Sequence, residues 1–174
     1  GSWSFSSDGT ELTYNLEKGV QWHDGAPFTA NDVVFSMDRA KNPVDPKAGI
    51  HTTRMRIVEE FEAVDDHTVR IRLSAPSASF ATLMSIPSMQ IYPAHIPDID
   101  VWQKNPIGTG PFKFVEFIQD RSKEVVRNDG YFKKDAAGNA LPYLDAAIHQ
   151  QIGDRALTLA AFRSGQLDCL CGYT

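Results

Sequence analysis

Five histidines are spread along the 174 residues, His23, His51, His67, His95 and His149, and one of them stands beside a carboxylate, His23-Asp24. An imidazole next to an acid has the composition of a general base with its orienting group, and hydrolysis is the reaction such a pair would serve. It would need a nucleophile or a metal within hydrogen-bond reach. Neighbouring side chains on an extended backbone point to opposite sides, however, and neither Gly-x-Ser-x-Gly nor His-Glu-x-x-His occurs. The other four histidines lie in separate segments without the i, i+4 spacing of a helical metal pair. No catalytic set, metal site or cofactor is expected.

Other motifs invite chemistry and have plainer readings. Gly108-Thr109-Gly110 could cradle a phosphate, but it runs into Phe112, Phe114 and Glu116, a strand pattern, where a phosphate site needs a helix start. It reads as a glycine turn before a strand. Arg70 and Arg72 could hold an anion; opposite Glu59, Glu60 and Glu62 they read as cross-strand ion pairs on a solvated face. Cys169 and Cys171 would share one face of a strand, too closely spaced for an unstrained disulfide, and read as buried thiols.

The elements that carry these residues follow from periodicity. Trp3 to Ser6 and Leu12 to Leu16 alternate as strands across the turn Ser7-Asp8-Gly9, and Val20-Gln21-Trp22 resumes the alternation. His23-Asp24-Gly25 is a turn. Thr29, with Asp32 three residues on, suits a helix start, and Val33, Val34, Met37 and Ala40 form its apolar stripe. Asn42-Pro43 and Asp45-Pro46 end it, and 47–54 reads as a loop. Met55 to Val64 and Thr68 to Leu73 make a hairpin with Val69, Ile71 and Leu73 on one face. A short helix covers Phe80 to Met84, and 97–106 reads as a linker. A hairpin of Phe112 to Ile118 and Glu124 to Val126 follows, then a strand from Ala147 to Gly153. Asp154 caps a helix with stripe Leu157, Leu159, Ala160 and Phe162 that ends at Gly165, and Leu167 to Cys169 is a last strand. Trp3 and Trp22 fall at core positions of their strands. The expected fold is α+β: mainly antiparallel strands with three or four short helices, and a mixed sheet begun after Gly110.

A net charge of −5 without a Lys/Arg cluster disfavours nucleic acid and anionic membrane surfaces as partners. Hydrophobic content of 42% with 22% charged residues is that of an ordinary globular protein, and no apolar run nears the roughly 20 residues of a membrane span.

Two long stretches, Gly19-Val20-x-Trp22-His23-Asp24-Gly25-x-Pro27-Phe28-Thr29-Ala30-x-Asp32-Val33-Val34-Phe35-Ser36 and Asn105-Pro106-Ile107-Gly108-Thr109-Gly110-Pro111-Phe112, resemble signatures of the family 5 extracellular solute-binding proteins, the peptide and nickel receptors of bacterial ABC importers. Pro93-Ala94-His95, Asn128-Asp129-Gly130-Tyr131-Phe132 and Leu141-Pro142-Tyr143-Leu144-Asp145 are similar to further family segments, with Gly130 and Phe132 departing from the usual residues. The resemblance implies a partial periplasmic binding protein type II-like fold. Residues 1–106 would be the small second domain of a longer receptor, and 107–174 a partial return into its first lobe. It implies a periplasmic or extracellular, membrane-associated protein that captures a peptide between two lobes, partnered by a membrane permease, with no catalysis. Nickel chelates, sugars or opines are the alternative solutes, and a hydrolase using His23 and Asp24 is the alternative of another class. Ligand contacts map onto Ile50, His51 and Thr52, onto Ser88 and Met89, and onto Tyr173 near the hinge. The face left bare by the missing lobe could pair two copies of this chain.

Overall fold

A computed structural model describes residues 1–43 and 51–170. The first sheet has four strands, β1 (Ser2–Phe5), β2 (Glu11–Asn15), β3 (Val58–Asp65) and β4 (Thr68–Leu73), in the order β1-β2-β4-β3. Alternation decides its two faces. Phe5, Leu12, Ile71 and Phe61 align across the strands on the inner face, and Leu12 and Ile71 are fully buried. On the outer face Arg70 meets Glu62 at 3.1 Å and Glu11 at 3.4 Å, and Arg72 meets Glu60. These are the cross-strand pairs expected from the sequence.

Helix α1 (Ala30–Lys41) lies on the inner face and buries Ala30, Val33 and Met37 there. Its start is fixed by Asp32, whose carboxylate accepts the Thr29 N–H at 2.8 Å. The core around it collects Met55, Val58, Val69, Leu73, Phe80 and Met89. Helix α2 (Thr52–Met55) is one turn where a loop is expected, so Met55 ends a helix and is buried, and β3 starts at Val58. Helix α3 (Phe80–Met84) matches its expectation.

Residues 97–106 do not form a linker. Helix α4 (Ile99–Lys104) forms there, because the Asp98 carboxylate accepts the Asp100 N–H at 2.9 Å and Trp102 sinks to 8% exposure. A second sheet follows, β5 (Phe112–Ile118), β6 (Ser122–Arg127) and β7 (Ala146–Gln150), in chain order, and then α5 (Arg155–Arg163). Among the described residues every strand pairing is antiparallel, so the sheet after Gly110 shows no parallel partner, and five helices form rather than three or four.

Three further expectations change. Trp3 lies at the edge of the first sheet, beyond the cover of α1, and is 57% exposed; Trp22 is buried as expected. Leu157, Leu159 and Phe162 of α5 stay exposed, since no described residue covers that stripe. Leu167 to Cys169 is not a strand and Cys169 is exposed, while Cys171 lies outside the described residues.

Candidate functional site

The turn His23-Asp24-Gly25 sits where the two halves of the chain meet, and its two polar side chains face opposite ways. The His23 backbone N–H donates to the Gly108 carbonyl at 2.9 Å. The Gly108 N–H donates back to His23 Nδ1 at 3.1 Å, and His23 Nε2 lies 3.1 Å from the Gly110 carbonyl oxygen. A backbone N–H can only donate and a carbonyl can only accept, so the ring is the neutral tautomer with its proton on Nε2. Burial is the leading influence on this imidazole and lowers its pKa below the ordinary value; the Lys113 ammonium adds to that, against the Gly110 bond and the Asp24 charge. Lys113 Nζ also donates to the His23 carbonyl at 3.0 Å.

Asp24 turns away and pairs with His95 at 2.8 Å while accepting the Ala26 N–H at 3.1 Å. Partial burial raises its pKa, but the bonds from His95 and Ala26 outweigh it and hold the carboxyl below the usual range. Both nitrogens of His23 are thus committed to backbone, and its carboxylate neighbour serves another histidine. The pair has no geometry for the base and orienter of a hydrolase.

One helical turn into α1, the buried Asp32 performs a second tie. Its Oδ2 accepts from Trp22 Nε1 at 3.2 Å and from the Thr29 N–H, and its Oδ1 accepts the Ala94 N–H at 2.8 Å. Ser36, one turn further, accepts the Tyr92 N–H at 2.7 Å and donates to the Asp32 carbonyl at 2.7 Å. Residues 92–94 are therefore fastened to α1. Behind them Tyr92 stacks on Trp102, ring centroids 4.3 Å apart, and the Arg39 guanidinium covers the Trp102 ring at 5.0 Å.

These ties leave a groove of about 640 Å³ between the first sheet's loops and the Gly108 turn, lined by Trp22, Phe28, Tyr92, Trp102, Ile107 and Thr109. Aromatic walls with a few polar groups at the rim suit a small organic solute. Sequence reasoning assigned no role to Lys113, Asn128 or Trp102. Asn128 is buried and donates to the Gly110 carbonyl at 3.0 Å, so the same carbonyl receives both His23 and Asn128. Its place in the Asn128-Asp129-Gly130-Tyr131-Phe132 segment is the available signal; its partner 18 residues back has none.

The contacts inferred from resemblance are scattered. His51 is buried at the start of α2, and neither ring nitrogen has a hydrogen-bond partner among the described residues. Thr52 is half-buried, Ser88 is exposed and Met89 belongs to the core. Ile50 and Tyr173 lie outside the described residues.

Comparison with known proteins gives these arrangements a context. The model of the bacterial extracellular solute-binding proteins, family 5 Middle, matches residues 1–174. The glutathione-binding protein GsiB of Pectobacterium atrosepticum is 34% identical, over 95% of this chain and 31% of its own length. The mannopinic acid complex of MoaA from A. tumefacien R10 superposes with a TM-score of 0.82 at 32% identity, covering 96% of this chain and 33% of that one. DppA from Helicobacter pylori in complex with peptide STSA gives 0.78 at 30% identity, over 95% and 36%. The chain spans about a third of the length of the curated relatives it matches.

Proposed function

Because the chain belongs to the family 5 bacterial extracellular solute-binding proteins, we propose that it is part of the solute-capturing component of an ABC-type importer, that its solutes are peptides, and that it catalyses nothing. The observation that carries this reading is the family match through all 174 residues, signature turn and glycine segment included. Similarity to a glutathione-binding protein and to a receptor holding a peptide favours peptides over other solutes. We assign residues 1–106 to the small second domain and 107–174 to the return into the first lobe, a division supported by the break between the two sheets. We infer that the complete protein is a periplasmic or extracellular, membrane-associated receptor that serves a membrane permease.

Capture in a two-lobed receptor depends on hinge closure that removes the solute from water. The aromatic groove beside Gly108 is open to solvent, and we propose that this chain supplies one surface of a two-lobed solute site. We place solute contacts on Ile50, His51, Thr52, Ser88 and Tyr173; the support for His51 is a buried imidazole whose ring nitrogens have no hydrogen-bond partner among the described residues. Two copies of the chain pair through the exposed apolar side chains of the second sheet, and sedimentation velocity at rising concentration tests that.

Calorimetry with peptide mixtures, nickel–histidine and mannopinic acid tests the whole reading. The complete receptor is expected to bind peptides and the 174-residue chain to bind none of the three tightly. Submicromolar binding by the chain alone overturns the half-site reading, and binding of only the non-peptide solutes overturns the choice of peptides.

A further inference from the structure

No strand or helix of the second sheet packs extensively on an element of the first. Among the described residues, hydrogen bonds of the 23–25 turn do much of the joining. On one side are three bonds between His23 and the Gly108–Gly110 segment, with Lys113 on the His23 carbonyl. On the other is the Asp24–His95 pair, which holds the turn to the 93–97 segment and so to α1 through Ala94 and Asp32.

We propose that this turn is an acid-weakened latch between the two sheets: protonation of His23 breaks its bond from the Gly108 N–H and loosens the Gly108–Gly110 segment while Asp24 keeps the turn tied to His95. The proton acts on the Gly108 side of the turn. His23 Nδ1 is an acceptor for the Gly108 N–H, and a proton placed there turns acceptor into donor, so two N–H groups confront each other at the 3.1 Å spacing. The Lys113 ammonium, the charged group that β5 brings to this turn, opposes the new charge, and Asp24, already engaged by His95, favours it only in part. The facing groups of the glycine segment and Asn128 are uncharged. Acid therefore costs the turn its bond from the Gly108 N–H and loosens the Gly108–Gly110 segment, while the Asp24–His95 bond on its other side does not depend on that contact.

The test is nitrogen and amide NMR of the 174-residue chain between about pH 7.5 and pH 5, the interval where an ordinary imidazole of pKa about 6.5 changes charge. His23 Nδ1 and Nε2 report the tautomer and its titration, and hydrogen exchange reports protection of the Gly108 amide. The expected result is an Nε2–H tautomer at the upper end. Below pH 6.5 the opening equilibrium at Gly108 rises about tenfold per pH unit until closed-state His23 itself protonates, while the Ala94 amide stays protected. His23→Gln should abolish that pH dependence, and His95→Gln should leave it in place. A His23 that titrates with no change at Gly108 overturns the latch. So does a Gly108 response that survives in His23→Gln, or one shared equally by Ala94. Should His23→Gln fail to fold, the wild-type contrast between Gly108 and Ala94 decides the matter alone.

Discussion

Asp32 and Ala94 are 62 residues apart in the chain, yet the Asp32 carboxylate accepts the Ala94 N–H at 2.8 Å in a site where Asp32 is only 3% exposed. The same carboxylate receives the Thr29 N–H and the Trp22 indole. A residue that the sequence presents as a helix cap is therefore also a long-range clamp.

Asp32→Ala leaves three donors, two of them backbone, without their acceptor. With about 1–3 kcal/mol for each buried group left unsatisfied, a loss of about 3 kcal/mol or more is expected. Urea unfolding checks it, and the Ala94 amide should exchange faster in the variant than the global loss alone explains.

Leu12, on the inner face of β2, is fully buried in the core, so Leu12→Ala should cost about 2–5 kcal/mol. Trp3→Ala, at the uncovered edge, should cost under about 1 kcal/mol, its edge-on contact with Phe5 being the main loss. Side-by-side denaturation of the two variants tests whether Trp3 is peripheral; equal losses would contradict the placement.

Asp135 sits in an exposed loop where the Tyr143 hydroxyl, Asn139 and two backbone N–H groups all donate to it, with the Tyr143 bond the largest influence, and its pKa falls from 3.8 to about 2. A carboxyl depressed on folding binds fewer protons than in the unfolded chain, so its contribution is present above about pH 4 and is lost as pH falls through 2. Tyr143→Phe should move the Asp135 titration upward, as read from carboxyl carbon shifts. In the wild type the Tyr143 hydroxyl should titrate above its ordinary value.

In the complete receptor, His51→Ala should weaken peptide binding about tenfold, the equivalent of roughly one hydrogen bond, if the buried imidazole meets the solute. Thermal melting of the same variant without solute separates that effect from lost packing. Unchanged affinity with lowered stability removes His51 from the site.

The strand-turn-helix from Leu12 to Ala40 and the two hairpins were legible because alternation and helical spacing are local signals, and the burial of Leu12, Val33, Met37 and Ile71 follows them. Helix α4 was not, since its polar residues hide a single anchoring tryptophan and only Asp98 marks its start. Trp3 misled because alternation tells which face a side chain occupies and not whether anything lies over it. Within the candidate site, the turn at His23 and the turn at Gly108 were each readable as turns. That the histidine of one seats between the Gly108 N–H, 85 residues away, and the Gly110 carbonyl of the other is a tertiary fact without a local signature.

All five residues of β7 are exposed, and Val115, Phe117 and Ile148 stand in water on the sheet it borders. The first sheet, by contrast, closes its own core from residues between Leu12 and Met89. Cooperativity is consequently lopsided. Amides of β5 to β7 will exchange through sub-global openings at a fraction of the free energy that guards β2 and β4, and mild denaturant will melt the later half while the earlier half still holds.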